Sequence, residues 1–419
     1  MSKYIINGGI KLKGKIRISG NKNSILPCMA ATLLTEEEVV LHNVPHISDV
    51  EIFCQILQTL GAEVTWTDHT VKIISKKITE SVLPKELASK LRASILLVGA
   101  LISRLGKAEF SHPGGDVIGR RGIDQHLMGF EELGCRVQVQ DNKYKVTKIS
   151  NSNSNAKIFF EICTVTGTEN LILASVLKAG QVTIKNAACE PHVVDLCKML
   201  TLMGAKIEGI GTSTLKINGV NKLKGAEFTI GSDYIEFGTY AIAAAITGGE
   251  IEIENCCDFD EDPIMWPLLK MGLLIKKQGE MAKVSVKKLK AIPHLVTNVW
   301  PGFPTDLMSP MVVLATQAKG VSLLHDWIYD GRMFFVDKLI AMGAEITVAD
   351  PHRVLVYGPT KLRGRNLETP DIRAGMALVL ASLVAEGQSV IDRAELIERG
   401  YEGVVEKLTL LGADIQKLD

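Results

Sequence analysis

Residues 111–126, SHPGGDVIGRRGIDQH, gather two adjacent glycines, Asp116, Arg120, Arg121 and His126 between apolar segments. Paired guanidiniums can close bidentately on a phosphate or carboxylate, and the glycines leave the backbone free to move around it; a mobile basic surface loop is the plainer reading. Other cations stand where apolar segments begin. Lys22 and Asn23 lie in SGNKNS, Arg92 in KLRAS and Arg373 in DIRA. A helix N-terminus already carries partial positive charge, so a cation there is unfavourable unless an anion joins it, which points to anionic ligands. Lys22 by itself also reads as a solvated lysine beside a cap, with Asn23 the candidate cap. Arg399, in IERGYEG, reads by itself as a surface arginine.

Two carboxylates among these cations, Asp116 and Asp306, are the acid and base candidates. Asp306, in GFPTDLMSP, equally suits the first turn of its own helix with Thr305 as cap. His112, His126 and His325 lack the mutual spacing of metal ligands and read as supporting or structural residues, so no metal is expected. Neither a Walker A nor a GxGxxG signature is present, which argues against nucleotide hydrolysis and dinucleotide binding; no cofactor is expected.

The elements that must position these residues follow from a repeat. The chain has 419 residues, 46% hydrophobic and 22% charged, with 47 basic and 47 acidic side chains, so no global field draws it to nucleic acid or membrane. LGAEVTW, LGCRVQV, MGAKIEG, MGLLIKK, MGAEITV and LGADIQK place Gly61, Gly134, Gly204, Gly272, Gly343 and Gly412 about 70 residues apart. Each glycine follows an amphipathic run and precedes an alternating β-branched one, which predicts a helix stopped at positive φ and then a strand. Earlier in each unit lies a second helix, such as YIEFGTYAIAAAIT or DIRAGMALVLASLV, apolar nearly all round and therefore buried.

Six such units most simply make two α/β domains of three, with the middle boundary near residues 221–230 and a ligand cleft as the leading site hypothesis. A single six-unit solenoid is the alternative; the buried helices favour closed centres over open stacking. The eight cysteines have neither zinc-site nor disulfide-scaffold spacing and read as reduced thiols. The N-terminus lacks a signal-peptide run, and the longest apolar run, Ala374 to Ala385, is too short for a bilayer, so a cytoplasmic protein is the expectation.

The motifs SGNKNS followed by LP, LRAS, PGGDVIG with the arginines after it, EPHVVD, FPTD, the arginine after IYDG, DIRA and ERGYE resemble, in order and over essentially the whole chain, the UDP-N-acetylglucosamine 1-carboxyvinyltransferases. The resemblance implies two inside-out α/β barrels of three units each, covering 21–229 and 1–20 plus 230–419, with the loop 111–126 carried by the first and the active site between them. It implies transfer of the enolpyruvyl group of phosphoenolpyruvate to the nucleotide sugar's 3-hydroxyl with release of phosphate. No nucleic acid, membrane or obligate protein partner is implied.

Carried over by position, Lys22, Asn23, Arg121 and Arg399 would hold phosphoenolpyruvate. Asn23, Arg92, Arg121, Gly122, Ile123, Asp124, Gln125, Cys163, Thr164, Val165, Thr166, Asp306 and Ile328 would line the nucleotide-sugar site. Asp116 would be the acid, Asp306 the base, and Glu190, Arg332 and Arg373 would support them.

The chain departs from the usual family pattern in several places. Asp116 stands where most members have the cysteine attacked by the epoxide antibiotic fosfomycin, and Cys163 to Thr166 replace a Lys and a Ser-Val-Gly run. Gly122, Gln125, Tyr234 and Gly331 replace a Pro, a Leu, an Arg and an Asn. A paralogue with another alcohol acceptor and a non-catalytic nucleotide-sugar binder are the competing readings.

Overall fold

The six repeat glycines adopt φ between 83° and 105° in the computed structural model, a region costly for any residue with a Cβ. Each ends an outer helix, at Ser48–Thr59, Asp124–Glu132, Pro191–Leu202, Asp262–Lys270, Val336–Ala341 and Val404–Leu410, and releases the chain into a strand. The structure describes residues 2–116, 118–119, 121–149, 154–256 and 262–418; Arg120 and Cys257 lie outside the described residues.

The second helices are Lys22–Ala31, Leu96–Leu105, Val165–Ser175, Tyr234–Thr247, Met308–Gln317 and Ile372–Val384. In the last, every residue from Ile372 to Leu383 is buried, the arginine included. A helix with no solvent face has to sit at a centre. The first three pack against one another, as do the last three, and small four-stranded sheets, with one of three strands, cover them. Helices inside and sheets outside give two inside-out α/β units, which rules against the solenoid.

One compact unit comprises Gly20–Gly115 and Arg121–Gly231; the other comprises Met1–Ser19, Asp116–Arg120 and Ser232–Asp419. The third, fifth and sixth inner helices each join two parallel strands of one sheet: Ala156–Phe159 pairs with Gln181–Lys185, His294–Val296 with Gly320–His325, and Asn366–Glu368 with Gln388–Asp392. At the first and fourth helices the preceding strands are exchanged. Lys13–Arg17 pairs in parallel with Glu250–Glu254, and Ala226–Thr229 with Val39–His42. Lys3–Asn7 lies antiparallel between Gln388–Asp392 and Asp414–Leu418. Among the described residues no helix is long and apolar enough to cross a membrane.

Candidate active site

In the unit that holds Lys22, the first inner helix is capped by Asn21 and not by Asn23: the Asn21 side chain accepts the Asn23 N–H at 2.8 Å. The cap falls one residue before the lysine because Lys22 is already helical, which leaves the half-buried Asn23 side chain outside the capping role. Lys22 Nζ lies 2.6 Å from Asp49 Oδ2, with the carboxylate almost wholly buried. The anion beside this helix start is thus one of the chain's own side chains.

Arg92 opens a 3-10 turn, Arg92–Ile95, that runs into the second inner helix, and its Nη2 donates to the Gly122 carbonyl at 2.7 Å. That bond anchors the stretch 121–125, in which Arg121 is half-buried, Ile123 buried and Asp124 exposed at the start of its helix. Gln125 Oε1 accepts the Glu161 N–H at 3.1 Å, which ties the stretch to the approach of Cys163–Thr166. There Thr164 caps the third inner helix by accepting the Gly167 N–H, and Val165 and Thr166 form its first turn. Burial, with Glu190 and Cys189 adding, pushes the Cys163 thiol up to about 12, so it is a neutral wall and not a nucleophile. Glu190 precedes the helix Pro191–Leu202 and, after burial, adds to raising the Glu169 pKa well above the usual carboxylate range.

In the other unit, Asp306 lies in a 3-10 turn, Thr305–Leu307. Thr305 does not cap it: its hydroxyl donates to the buried Asp326 and accepts from Arg332 Nε. Arg332 Nη2 reaches Asp306 Oδ1 at 3.0 Å, while Arg373 Nε and Nη2 reach Oδ2 at 3.0 and 2.9 Å. Both guanidiniums are almost wholly buried, at 2% and 4% exposure, which disfavours their charge more than any one partner favours it; Asp306, together with Asp371 and Asp326 at Arg332 and with Tyr401 and Asp233 at Arg373, outweighs that cost and raises both pKa values. Arg373 also lies over the Tyr401 ring. Its anion, like that of Lys22, is internal, so these two positions do not by themselves call for a bound ligand.

Ile328 follows Asp326, whose Oδ1 accepts the Ile328 N–H at 3.0 Å and fixes the turn. Asp116 Oδ1 lies 3.0 Å from Arg399 Nη1. Sequence reasoning missed Asp49, Asp326, Tyr401 and also Asp371, whose Oδ1 lies 4.0 Å from Arg332 Nη1. Asp49 and Asp371 look like ordinary helix-start acids, and nothing in the sequence shows which cation each one faces.

A family model described as EPSP synthase (3-phosphoshikimate 1-carboxyvinyltransferase) matches residues 6–408. UDP-N-acetylglucosamine 1-carboxyvinyltransferase of Borreliella burgdorferi is 45% identical over 100% of this chain and 99% of its own. The chain belongs to the 1-carboxyvinyltransferase family.

Relatives of the same name in Treponema denticola and Bradyrhizobium diazoefficiens are 45% and 44% identical over 99% of this chain. Among solved structures, the enolpyruvyl transferase NikO from Streptomyces tendae superposes with a TM-score of 0.88 over 100% of this chain and 99% of its own, at 24% identity. EPSP synthase from Acinetobacter baumannii gives 0.77 over the full length of both at 16% identity. At such identities these two establish the fold of the carboxyvinyltransferase and nothing further.

Proposed function

We propose that this carboxyvinyltransferase moves the enolpyruvyl group of phosphoenolpyruvate onto the 3-hydroxyl of UDP-N-acetylglucosamine and releases phosphate, the first committed step of peptidoglycan precursor synthesis in the cytoplasm. The observation that carries this is full-length identity of 45% to relatives bearing that name.

The chemistry assigns the residues their parts. The enol carbon of phosphoenolpyruvate is a poor electrophile until its methylene is protonated, so Asp116 delivers a proton to C3 while Lys22, Arg121 and Arg399 hold the phosphate and carboxylate. The sugar oxygen bonds to C2 and its proton passes to Asp306. Elimination then reverses the C3 protonation, breaks the C2–O bond to phosphorus and restores the double bond.

Two buried guanidiniums hold and orient the Asp306 carboxylate, so that it receives the hydroxyl proton as the C–O bond forms. In the ground state the Asp116 carboxylate pairs with Arg399; phosphoenolpyruvate competes for that guanidinium, and the released carboxylate takes up a proton from solvent before it serves as the acid.

Asp116 takes the place of the family's usual loop cysteine. A carboxylate relays a proton but is a far weaker nucleophile than a thiolate toward an epoxide, so the enzyme is insensitive to fosfomycin. The acceptor stretch Cys163–Thr166 carries no lysine; the first-turn N–H groups of Val165–Ser175 and nearby hydroxyls supply diphosphate binding instead. Phosphate release from phosphoenolpyruvate, compared across UDP-N-acetylglucosamine, other nucleotide sugars and shikimate 3-phosphate, tests the assignment. Release with the first alone supports it, and release with another acceptor alone overturns the acceptor.

A further inference from the structure

The geometry points to His126 as a positioning residue that fixes the Thr166 hydroxyl as a hydrogen-bond donor toward a diphosphate oxygen at the start of the helix Val165–Ser175. The inference deepens the functional reading above and rests on it.

The relay begins at Asn170, which is fully buried. Its Oδ1 accepts the Gly99 N–H at 2.7 Å, and its Nδ2 donates to the Ile95 carbonyl at 2.9 Å. A backbone donor at one end and a backbone acceptor at the other leave a single orientation for the amide. The contact is also tight: a Cβ on Gly99 would come within 2.2 Å of the Asn170 carbonyl oxygen. The second Nδ2 hydrogen therefore points at His126 Nδ1, 3.0 Å away.

A ring nitrogen that accepts a hydrogen bond carries no proton. His126 is 2% exposed, and burial, with Arg92 adding, lowers its pKa to about 3, so the ring is neutral and its single N–H sits on Nε2. Nε2 lies 3.2 Å from Thr166 Oγ1 and donates to it. With that lone pair taken, the threonine's own proton turns away from His126. Thr166 is half-buried in the first turn of its helix, where the backbone N–H groups already favour an anion. One polar chain thus runs from a backbone N–H through amide and imidazole to a directed hydroxyl donor.

Thr166→Val removes the donor and keeps the shape; Thr166→Ser keeps the donor. The readouts are kcat, the two KM values, and the Kd of uridine diphosphate by calorimetry. A hydrogen bond to a charged oxygen predicts that Thr166→Val raises the KM for UDP-N-acetylglucosamine and the Kd of uridine diphosphate roughly tenfold, with kcat and the phosphoenolpyruvate KM little changed and Thr166→Ser near wild type. His126→Phe should raise the same two constants and add nothing to Thr166→Val. In the unmutated protein, nitrogen NMR of labelled histidine should find His126 neutral between pH 5 and 8 with its proton on Nε2, a readout independent of any variant's folding.

A wild-type protein that turns over this acceptor while Thr166→Val keeps its KM overturns the relay alone, as does a proton on Nδ1. A wild-type protein that neither turns over UDP-N-acetylglucosamine nor binds uridine diphosphate overturns the underlying reading and the relay with it.

Discussion

The carboxylate of Asp116 and the guanidinium of Arg399 stand 3.0 Å apart, with 18% and 17% of their side chains exposed. The pair joins the proposed acid to a cation proposed to hold phosphoenolpyruvate, so the substrate must displace one contact to reach the other. Asp116→Ala should lower kcat about 100-fold or more, the usual contribution of a positioned general acid. It should weaken phosphoenolpyruvate binding little, because Arg399 is then uncontested; steady-state kinetics with each substrate varied separates the two effects.

Asp116→Cys should retain turnover and acquire a covalent fosfomycin adduct, visible as a mass increase in the intact protein, whereas the wild-type chain should show none. Labelling of the wild type under the same conditions would contradict the role given to the carboxylate.

Removing Asp306 tests structure and chemistry together. Asp306→Ala leaves Arg332 and Arg373 facing each other without the charge that holds them; Asp306 is itself 27% exposed, so the expected loss of stability is at the low end for a buried pair, roughly 2–4 kcal/mol by denaturant unfolding. Asp306→Asn should keep more of that stability and still lose turnover.

Gly331 donates its N–H to the Ile118 carbonyl at 3.0 Å, and a Cβ there would meet Ile118 and Gly119 backbone atoms at 2.8 to 3.0 Å. Gly331→Ala should therefore push this stretch, and Asp116 with it, off its seat. About a tenfold fall in kcat/KM, with little change in the unfolding midpoint, is the expected outcome.

His126 gives a pH signature in stability. Its folded pKa lies near 3, below the ordinary value of 6.5, so the unfolded chain binds the proton first as pH falls. The contribution is fully present above about pH 6.5 and is lost between there and about pH 3, at about 1.4 kcal/mol per pH unit where steepest. His126→Gln, compared with wild type from pH 7 to pH 4, should flatten that slope.

Much of this fold is legible in the sequence because two of its requirements leave marks in residue type. Positive φ demanded glycine at Gly61, Gly134, Gly204, Gly272, Gly343 and Gly412, and burial on every side demanded the run from Ala374 to Leu383, apolar but for Ser382. The strand exchange leaves no such mark: Lys13–Arg17 buries Ile16 alone, Ala226–Thr229 alternates like any strand, and neither pattern says which neighbour the strand finds.

At the site, residue types advertised Lys22, Arg373 and Asp306 as ionic chemistry but not their partners. A salt bridge depends on distance in space, and Asp49 and Arg332 carry no local pattern that points to Lys22 or Asp306. Asn21 displaced Asn23 as cap for a simpler reason: both are good caps, and a two-residue shift in where the helix begins decides between them.

The most direct test is the mass of the product formed from phosphoenolpyruvate and UDP-N-acetylglucosamine, with Asp116→Ala and Asp306→Ala run beside the wild type. The account predicts a nucleotide sugar heavier by one enolpyruvyl group, formed in step with free phosphate and lost in both variants. Free phosphate without that product, or the product undiminished in either variant, would contradict it.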